Sequence, residues 1–454
     1  MKTLHSRIVW YGCLLFSIFS IQSLQAKKPT KDYQRPSLHM VLLTTDEPTA
    51  PEQYMEYVSS SWQNYTLPTM FNDFEIPFTE AKAGNPKGSM MQLITEYGSR
   101  LNSMSIDELK ELSENLSGKQ YNEELKKYVD GLSNEIAHQL IAKWWSLTED
   151  GEYCDTLIRK LACYSATQNQ ANAAVLTNSG AQRELYNELM IPTMANTYVS
   201  FSKLNFYQNE PIAKFSKDVA VTLAGLTAAA AGPMGAAALM AAEKAADEVY
   251  NKTKDGFSAY TTTLLYKLKW DEEEMEKFFA CFTSASDKEC DNNFDIKKFN
   301  ATPFELEYLG TNKCNTIVLA NKDKANAKAM VEKTMHKNVY KQLILLQNNY
   351  EEFKPMMPIM DVYDKVMIAD MGTKESITEK DAFDVYEPEV NENGVLKYKK
   401  VGVTKPIKGG IWDNEDIDNA ANADNDDNEL QGTQFKAVKN ANNGMLIKKQ
   451  KAKK

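Results

Sequence analysis

Residues 219–242 read VAVTLAGLTAAAAGPMGAAALMAA, a stretch without charge between Asp218 and Glu243. Ala220, Ala224, Ala228 and Gly232 recur at every fourth position. Such a seam of small side chains lets two helices approach closely, in a bilayer or in a packed bundle. The length suffices for a membrane span. Alanine, however, contributes little at roughly 25 cal/mol per Å² of apolar surface buried, and proline removes a donor and interrupts a helix. The stretch therefore predicts two helices joined at 232–235, an Ala-rich hairpin over 219–250 packed inside a soluble fold, with the four-residue seam as its candidate interaction surface. The alternative is a membrane-inserting or pore-forming effector in which 219–242 leaves that packed site.

Before the hairpin, residues 37–45 (SLHMVLLTT) suit a short buried strand, and the Pro- and aromatic-rich run through Trp62, Phe71 and Phe78 looks too irregular for a long helix. Ser105 and Glu108 form a capping box. Leu125, Tyr128, Leu132, Ile136, Leu140 and Trp144 then recur at helical steps, a core stripe from which His138 departs as a surface residue. Residues 196–207 have strand composition.

After the hairpin, TTTLLYKLKW (261–270), 304–309 and 315–320 are strand candidates. Residues 323–353 show the cleanest amphipathic periodicity, ended at Lys354-Pro355. Five short β-prone runs follow (366–369, 382–386, 395–403, 433–438, 445–447), with a hairpin turn at 391–394, and suggest a small barrel. The expected class is α+β: a helical middle with the Ala-rich hairpin, flanking strands, and a small C-terminal β-barrel module. The segments are 27–95, irregular with one strand; 96–256, mainly helical; 257–322, strand-containing; 323–354, the long helix; and 355–454, the β module with an acidic loop at 413–430 and a basic tail.

Residues 1–26 have the layout of a secretory signal peptide, with Lys2 and Arg7 ahead of an apolar run and Ala26 at the cut. The expected location is exported: the periplasm, the periplasmic face of an outer membrane, or outside the cell. With 62 acidic against 52 basic residues and a net charge of −10, the 454-residue chain lacks the clustered basic face of a nucleic-acid binder. Only the tail, with Lys448, Lys449, Lys451, Lys453 and Lys454, is a basic cluster; it is expected as a frayed, solvated end, the alternative being contact with an anionic membrane surface.

Cys154 with Cys163 and Cys281 with Cys290 share one spacing, and each pair is a candidate short disulfide, leaving Cys314 over. Against this, two cysteines at that spacing within one helix point apart. Neither pair has zinc-ligand spacing, and His39, His138 and His336 are the only histidines after the leader. Asp424, Asp426 and Asn428 start like a calcium loop, but Glu429 and Phe435 stand where glycine and the closing glutamate belong. No nucleophile elbow, zinc-helix motif, P-loop or dinucleotide-binding glycine run occurs. Thus no catalytic residue, cofactor, metal or small-molecule substrate is assigned. Cys163 or Cys314 with His138 or His336 is the sole thiol–imidazole combination to consider.

The strand FELEYLG (304–310), the helix ending NNYEEFKP, the run VMIADMGTKESITEKDAFDVYE, and then KYKKVGV and IWDN together resemble an uncharacterised family of exported Bacteroidota envelope proteins. IAKWW (141–145), NTYVSF (196–201) and TTTLLYKLKW extend the similarity over most of the chain. In that family an amphipathic helix leads into a small β-barrel built around G-x-K-E-G and then F-x-V; here Gly372 supplies the first glycine and Ser376 replaces the second. The resemblance implies an envelope location and an assembly role and brings no catalytic residues. The expected function is a non-enzymatic scaffold or assembly component that docks an envelope protein through its C-terminal module. Asp155-Thr156-Leu157 is similar to the O-glycosylation acceptor of exported proteins from the same group, which makes Thr156 a candidate glycan site.

Overall fold

Twelve residues of almost uninterrupted apolar and small side chains, TYVSFSKLNFYQ, form the strand around which the molecule is built, β3 (Thr197–Gln208). Eleven of them are buried, as expected for a strand covered on both faces. The computed structural model describes residues 36–45, 50–68, 70–72, 74–84, 90–101, 104–105, 107–108, 111–112, 119–154, 156–158, 192–230, 233–282, 294–319, 326–390, 396–414 and 432–450. The expected leader, the turn at 391–394 and most of the acidic loop lie outside them.

β3 pairs in parallel with β1 (Ser37–Thr44), which pairs in parallel with the three-residue β2 (Glu80–Lys82). On its other side β3 runs antiparallel to β4 (Gly256–Leu268), which pairs with β5 (Leu306–Leu319), giving the order β2-β1-β3-β4-β5. The segments 27–95, 96–256 and 257–322 thus contribute strands to one sheet. The candidate strands at 304–309 and 315–320 are one strand, because a bulge opposite Leu265 and Tyr266 carries the chain past Gly310 without breaking the ladder.

Between 52 and 63 the structure differs from the irregular run expected there. A helix, α1 (Glu52–Gln63), buries Val58 and Trp62 one turn apart. α2 (Met90–Tyr97) follows, and the expected capping box forms: the Ser105 amide donates to Glu108 at 2.7 Å and the Glu108 amide to Ser105 Oγ at 3.3 Å. α3 (Lys119–Trp144) lays Leu125, Ile136, Leu140 and Trp144 on one face of the sheet. The aromatic residues of α6 (Glu272–Phe279) and α7 (Ile296–Ala301) join it there.

The Ala-rich stretch is a helical hairpin, with α4 (Asn209–Ala230) and α5 (Pro233–Thr253) as its arms. It is longer at both ends than 219–250, because it grows directly out of β3 and returns into β4. Gln208 pairs with Phe257 across its base, so the hairpin is an insertion at the tip of a β-hairpin.

The opposite sheet face is covered by α8 (Ala327–Asn349), shorter than the 323–353 periodicity because Asn326 caps its start and a 3-10 turn (Glu351–Phe353) replaces its end. Beyond it lies a second, antiparallel sheet: β6 (Met356–Tyr363), β7 (Val366–Ala369), β8 (Phe383–Val390), β9 (Leu396–Thr404), β10 (Thr433–Lys436) and β11 (Leu446–Lys449), in the order β10-β7-β6-β11-β8-β9. The chain is therefore mixed α+β, and this sheet curls into a half-barrel. It has a sixth strand, β6, which Pro358 conceals in the sequence; the β6–β7 pairs begin only at Ile359, so the missing N–H interrupts no bond to β7.

One hydrophobic cluster runs from Leu38, Leu42 and Phe206 in the first sheet through Val331, Val339 and Leu346 of α8 to Met357, Phe383 and Ile447 in the second. The C-terminal module shares this core with the rest of the molecule.

Candidate functional site

The module is joined to its own far end by a tight turn. Gly372 starts a 3-10 turn (Thr373–Glu375), and Glu375 folds back to accept the Gly372 amide on Oε2 at 2.6 Å. Trp412, Asp413 and Asn414 close over it. The Thr373 amide donates to the Trp412 carbonyl at 3.0 Å, the Lys374 amide to Asn414 Oδ1 at 2.7 Å, and Asn414 Nδ2 to Glu375 Oε2 at 2.9 Å. A Cβ on Gly372 would run into the Trp412 carbonyl oxygen and lie 2.7 Å from Asn414 Oδ1, so only glycine fits.

Ser376 ends the turn at φ +53°, the left-handed conformation in which the resembled family places glycine. Its carbonyl accepts the Lys449 ammonium. Burial pushes the Glu375 carboxyl above the usual range, against the bonds from Asn414 and Gly372, and its Oε1 is buried with no hydrogen-bond partner among the described residues.

A second polar group lies between the first sheet and α8. Gln342 Oε1 accepts Ser202 Oγ at 2.7 Å and Thr263 Oγ1 at 2.9 Å; Asn338 Oδ1 accepts Thr261 Oγ1 at 2.6 Å and Gln342 Nε2 at 2.8 Å. All five side chains are buried. The signal for this ladder was present in the sequence as Asn338 and Gln342, one helical turn apart on the apolar face of α8.

Lys203, buried in mid-strand, donates to the Thr44 carbonyl at 2.8 Å and the Ala83 carbonyl at 2.7 Å, tying the ends of β1 and β2 to β3. These groups hold elements in register, a chemistry of positioning.

The hairpin is built differently. α5 packs along α4, and α4 reaches the body at α2, β3 and β4. Phe215 anchors the base of α4 in a cluster with Leu93, Tyr97 and Met104, and Lys217 pairs with Asp247 at 2.5 Å across the two helices. Met240 is 71% and Val249 60% exposed. The seam divides along its length: Ala220 is exposed, Ala224 half-buried and Ala228 buried, while Gly232 lies outside the described residues. No described helix is long and apolar enough to cross a membrane.

The candidate cysteines are not brought together. Cys163 and Cys290 lie outside the described residues, and no disulfide forms among those described. Cys281 is buried with its thiol 3.4 Å from the Lys277 carbonyl, and Cys154 Sγ is 2.8 Å from Thr156 Oγ1. Thr156 is exposed, as glycosylation requires.

Burial pushes the Cys314 thiol up to about 11, and it donates to the Asn338 carbonyl at 3.8 Å. His336 packs against Tyr65, with its pKa lowered by burial and by Lys374. His39 is buried with Nε2 2.8 Å from the Phe78 carbonyl, and burial lowers its pKa as well.

His138 departs from the surface role expected of it. Its ring stacks edge-on against Phe299 and Phe304, with Nδ1 2.7 Å from the Asn134 carbonyl and Nε2 3.0 Å from that of Phe299. No thiol–imidazole hydrogen bond joins the described cysteines and histidines.

The tail also differs from an unattached basic cluster. Lys448 pairs with Glu351 at 2.9 Å and Lys449 with Asp381 at 3.0 Å, whereas Lys451, Lys453 and Lys454 lie outside the described residues. Among the described residues no group of three or more His, Cys, Asp or Glu side chains is placed to hold a metal ion. No family model matches the chain, and no curated protein matches it in sequence.

Proposed function

We propose that the protein is an exported, non-enzymatic scaffold of a bacterial cell envelope that holds a partner protein through its C-terminal β module, with the α4–α5 hairpin as a second contact arm. The observation that carries this reading is the single hydrophobic core running through α8 into the second sheet, which fixes the module relative to the base of the arm. A scaffold needs its docking elements held at a constant separation, and a shared core supplies that where a tether does not. The leader-like residues 1–26 support export, and closure of the half-barrel into a small barrel belongs to the same proposal. The membrane-inserting alternative draws no support from α4 and α5, neither of which is long and apolar enough to span.

The test is the native size of the complex in gently solubilised envelope fractions. Wild type should migrate well above its own mass. Two variants should release it: one with 209–255 replaced by an Asn-Gly turn between Gln208 and Gly256, and Val403→Glu on the exposed face of β9. Wild type migrating at its own mass would overturn the scaffold reading.

A further inference from the structure

β11 is the last strand among the described residues, yet it is a central strand of the second sheet, between β6 and β8. Take it away and β6 and β8 lose their common neighbour, while the ribbons β10-β7-β6 and β8-β9 stay joined on the other side, where the Ile407 amide donates to the Gln434 carbonyl at 2.8 Å and the Gln434 amide to the Gly410 carbonyl at 2.8 Å. Between them would lie a slot with two unpaired edges, and such edges are templates for an incoming strand. The geometry points to this slot as a strand-acceptor site whose exchangeable occupant is the C-terminal strand of a second copy of this chain.

The slot has a readable specificity. Leu446 pairs with Pro358 and Tyr386, Ile447 with Met357 and Val385, and Lys448 with Met356 and Asp384. Met445, Leu446 and Ile447 are fully or almost fully buried. Past them the Lys448 ammonium meets Glu351 and the Lys449 ammonium meets Asp381 and the Ser376 carbonyl. The Lys449 amide donates to the Pro355 carbonyl at 2.9 Å and that of Gln450 to the Ala382 carbonyl at 2.8 Å. The occupant must therefore be an extended segment reading apolar, apolar, basic, basic, and the chain carries that segment at Leu446–Lys449.

The connector permits the exchange. Residues 437–445 lead from β10 at the sheet edge to β11, three strand spacings away, or about 14 Å. Extended, that connector reaches about 30 Å. It holds Asn440 at φ +59°, a left-handed turn position that asparagine adopts readily. Lys439, Asn440, Asn442 and Asn443 are exposed, whereas Ala437, Val438, Ala441 and Met445 pack on the core, so the exchange hinges at 439–443. The hydrogen bonds and ion pairs that β11 gives up in its own chain are remade in the second copy, because strand and slot are the same, and the balance is set by chain concentration. This inference stands apart from the scaffold reading.

The test uses the full-length chain and a fluorescent peptide of residues 442–454, followed by polarisation. Saturable capture is expected, weakened at least tenfold when the peptide carries Lys448→Glu and Lys449→Glu. A chain with Met356→Cys and Lys448→Cys, cross-linked between β6 and β11, should capture none until reduced. Mixed copies bearing different labels should form dimers containing both labels as concentration rises. Absence of capture by the unlocked chain, equal capture of the charge-reversed peptide, or capture without any mixed dimer would each overturn the proposal.

Discussion

Asn414 donates its side-chain amide to Glu375 at 2.9 Å, across 39 residues of chain, and so closes the turn at Gly372 against the segment that follows β9. Because the same Oε2 also accepts the Gly372 amide, one carboxylate oxygen organises both ends of this link while the other oxygen stays buried and unpartnered among the described residues. Replacing Glu375 by alanine removes both bonds and should cost about 2–4 kcal/mol in urea unfolding.

Glu375 also sets a pH dependence. Its folded pKa is raised, so its contribution is fully present below the unfolded value of 4.5 and is lost as the pH rises through the folded value. Wild type should lose stability relative to Glu375→Gln over that rise. Parallel profiles for the two proteins would contradict the assignment.

Glu351 works in the opposite sense. Burial opposes its ionisation, but Lys354 and Lys448 outweigh burial and bring its pKa down to about 2. Its contribution is present above 4.5 and disappears as the pH falls toward 2. Glu351→Gln should flatten the acid limb of the stability curve in that window, and high salt should mimic the substitution in part because the pair is partly exposed.

At Ser376 the serine occupies a left-handed position with its hydroxyl buried and unpartnered among the described residues. Ser376→Gly should raise stability by about 1 kcal/mol, since glycine adopts this conformation without steric cost. Gly372→Ala should lower it by about 2–4 kcal/mol through the clash with Trp412 and Asn414. Both values can be read from urea midpoints.

Along the hairpin seam, Ala228 is buried and Ala220 exposed. Ala228→Asp should therefore cost several kcal/mol by burying a charge without a partner, whereas Ala220→Asp should stay within about 0.5 kcal/mol of wild type. Equal effects would mean that the hairpin does not pack as described.

Local pattern made much of this molecule legible. β3, β4 and α8 announced themselves by composition or periodicity, and the Gly-Pro break located the turn between α4 and α5. α1 was hidden because the apolar pair Val58 and Trp62 is set among prolines and scattered aromatics. β6 was hidden by Pro358, and β5 was divided by a glycine that the bulge absorbs. The central place of β11 is a matter of strand order, a non-local property that no window of sequence carries. Glu375 and Asn414 are ordinary surface residue types until the fold brings them together, so only the glycine of the resembled turn hinted at them.

The proposed scaffold role rests on one core that joins the sheet at the base of the arm to the C-terminal module. Non-cysteine spin labels placed at the exposed Leu319, paired with Gly256 at the base of the arm, and at Val403 on β9, read by pulsed dipolar spectroscopy, test this directly. A single narrow distance distribution, unchanged by salt, is the predicted result. A broad distribution would show a module that moves on a tether, and a rigid scaffold would be ruled out.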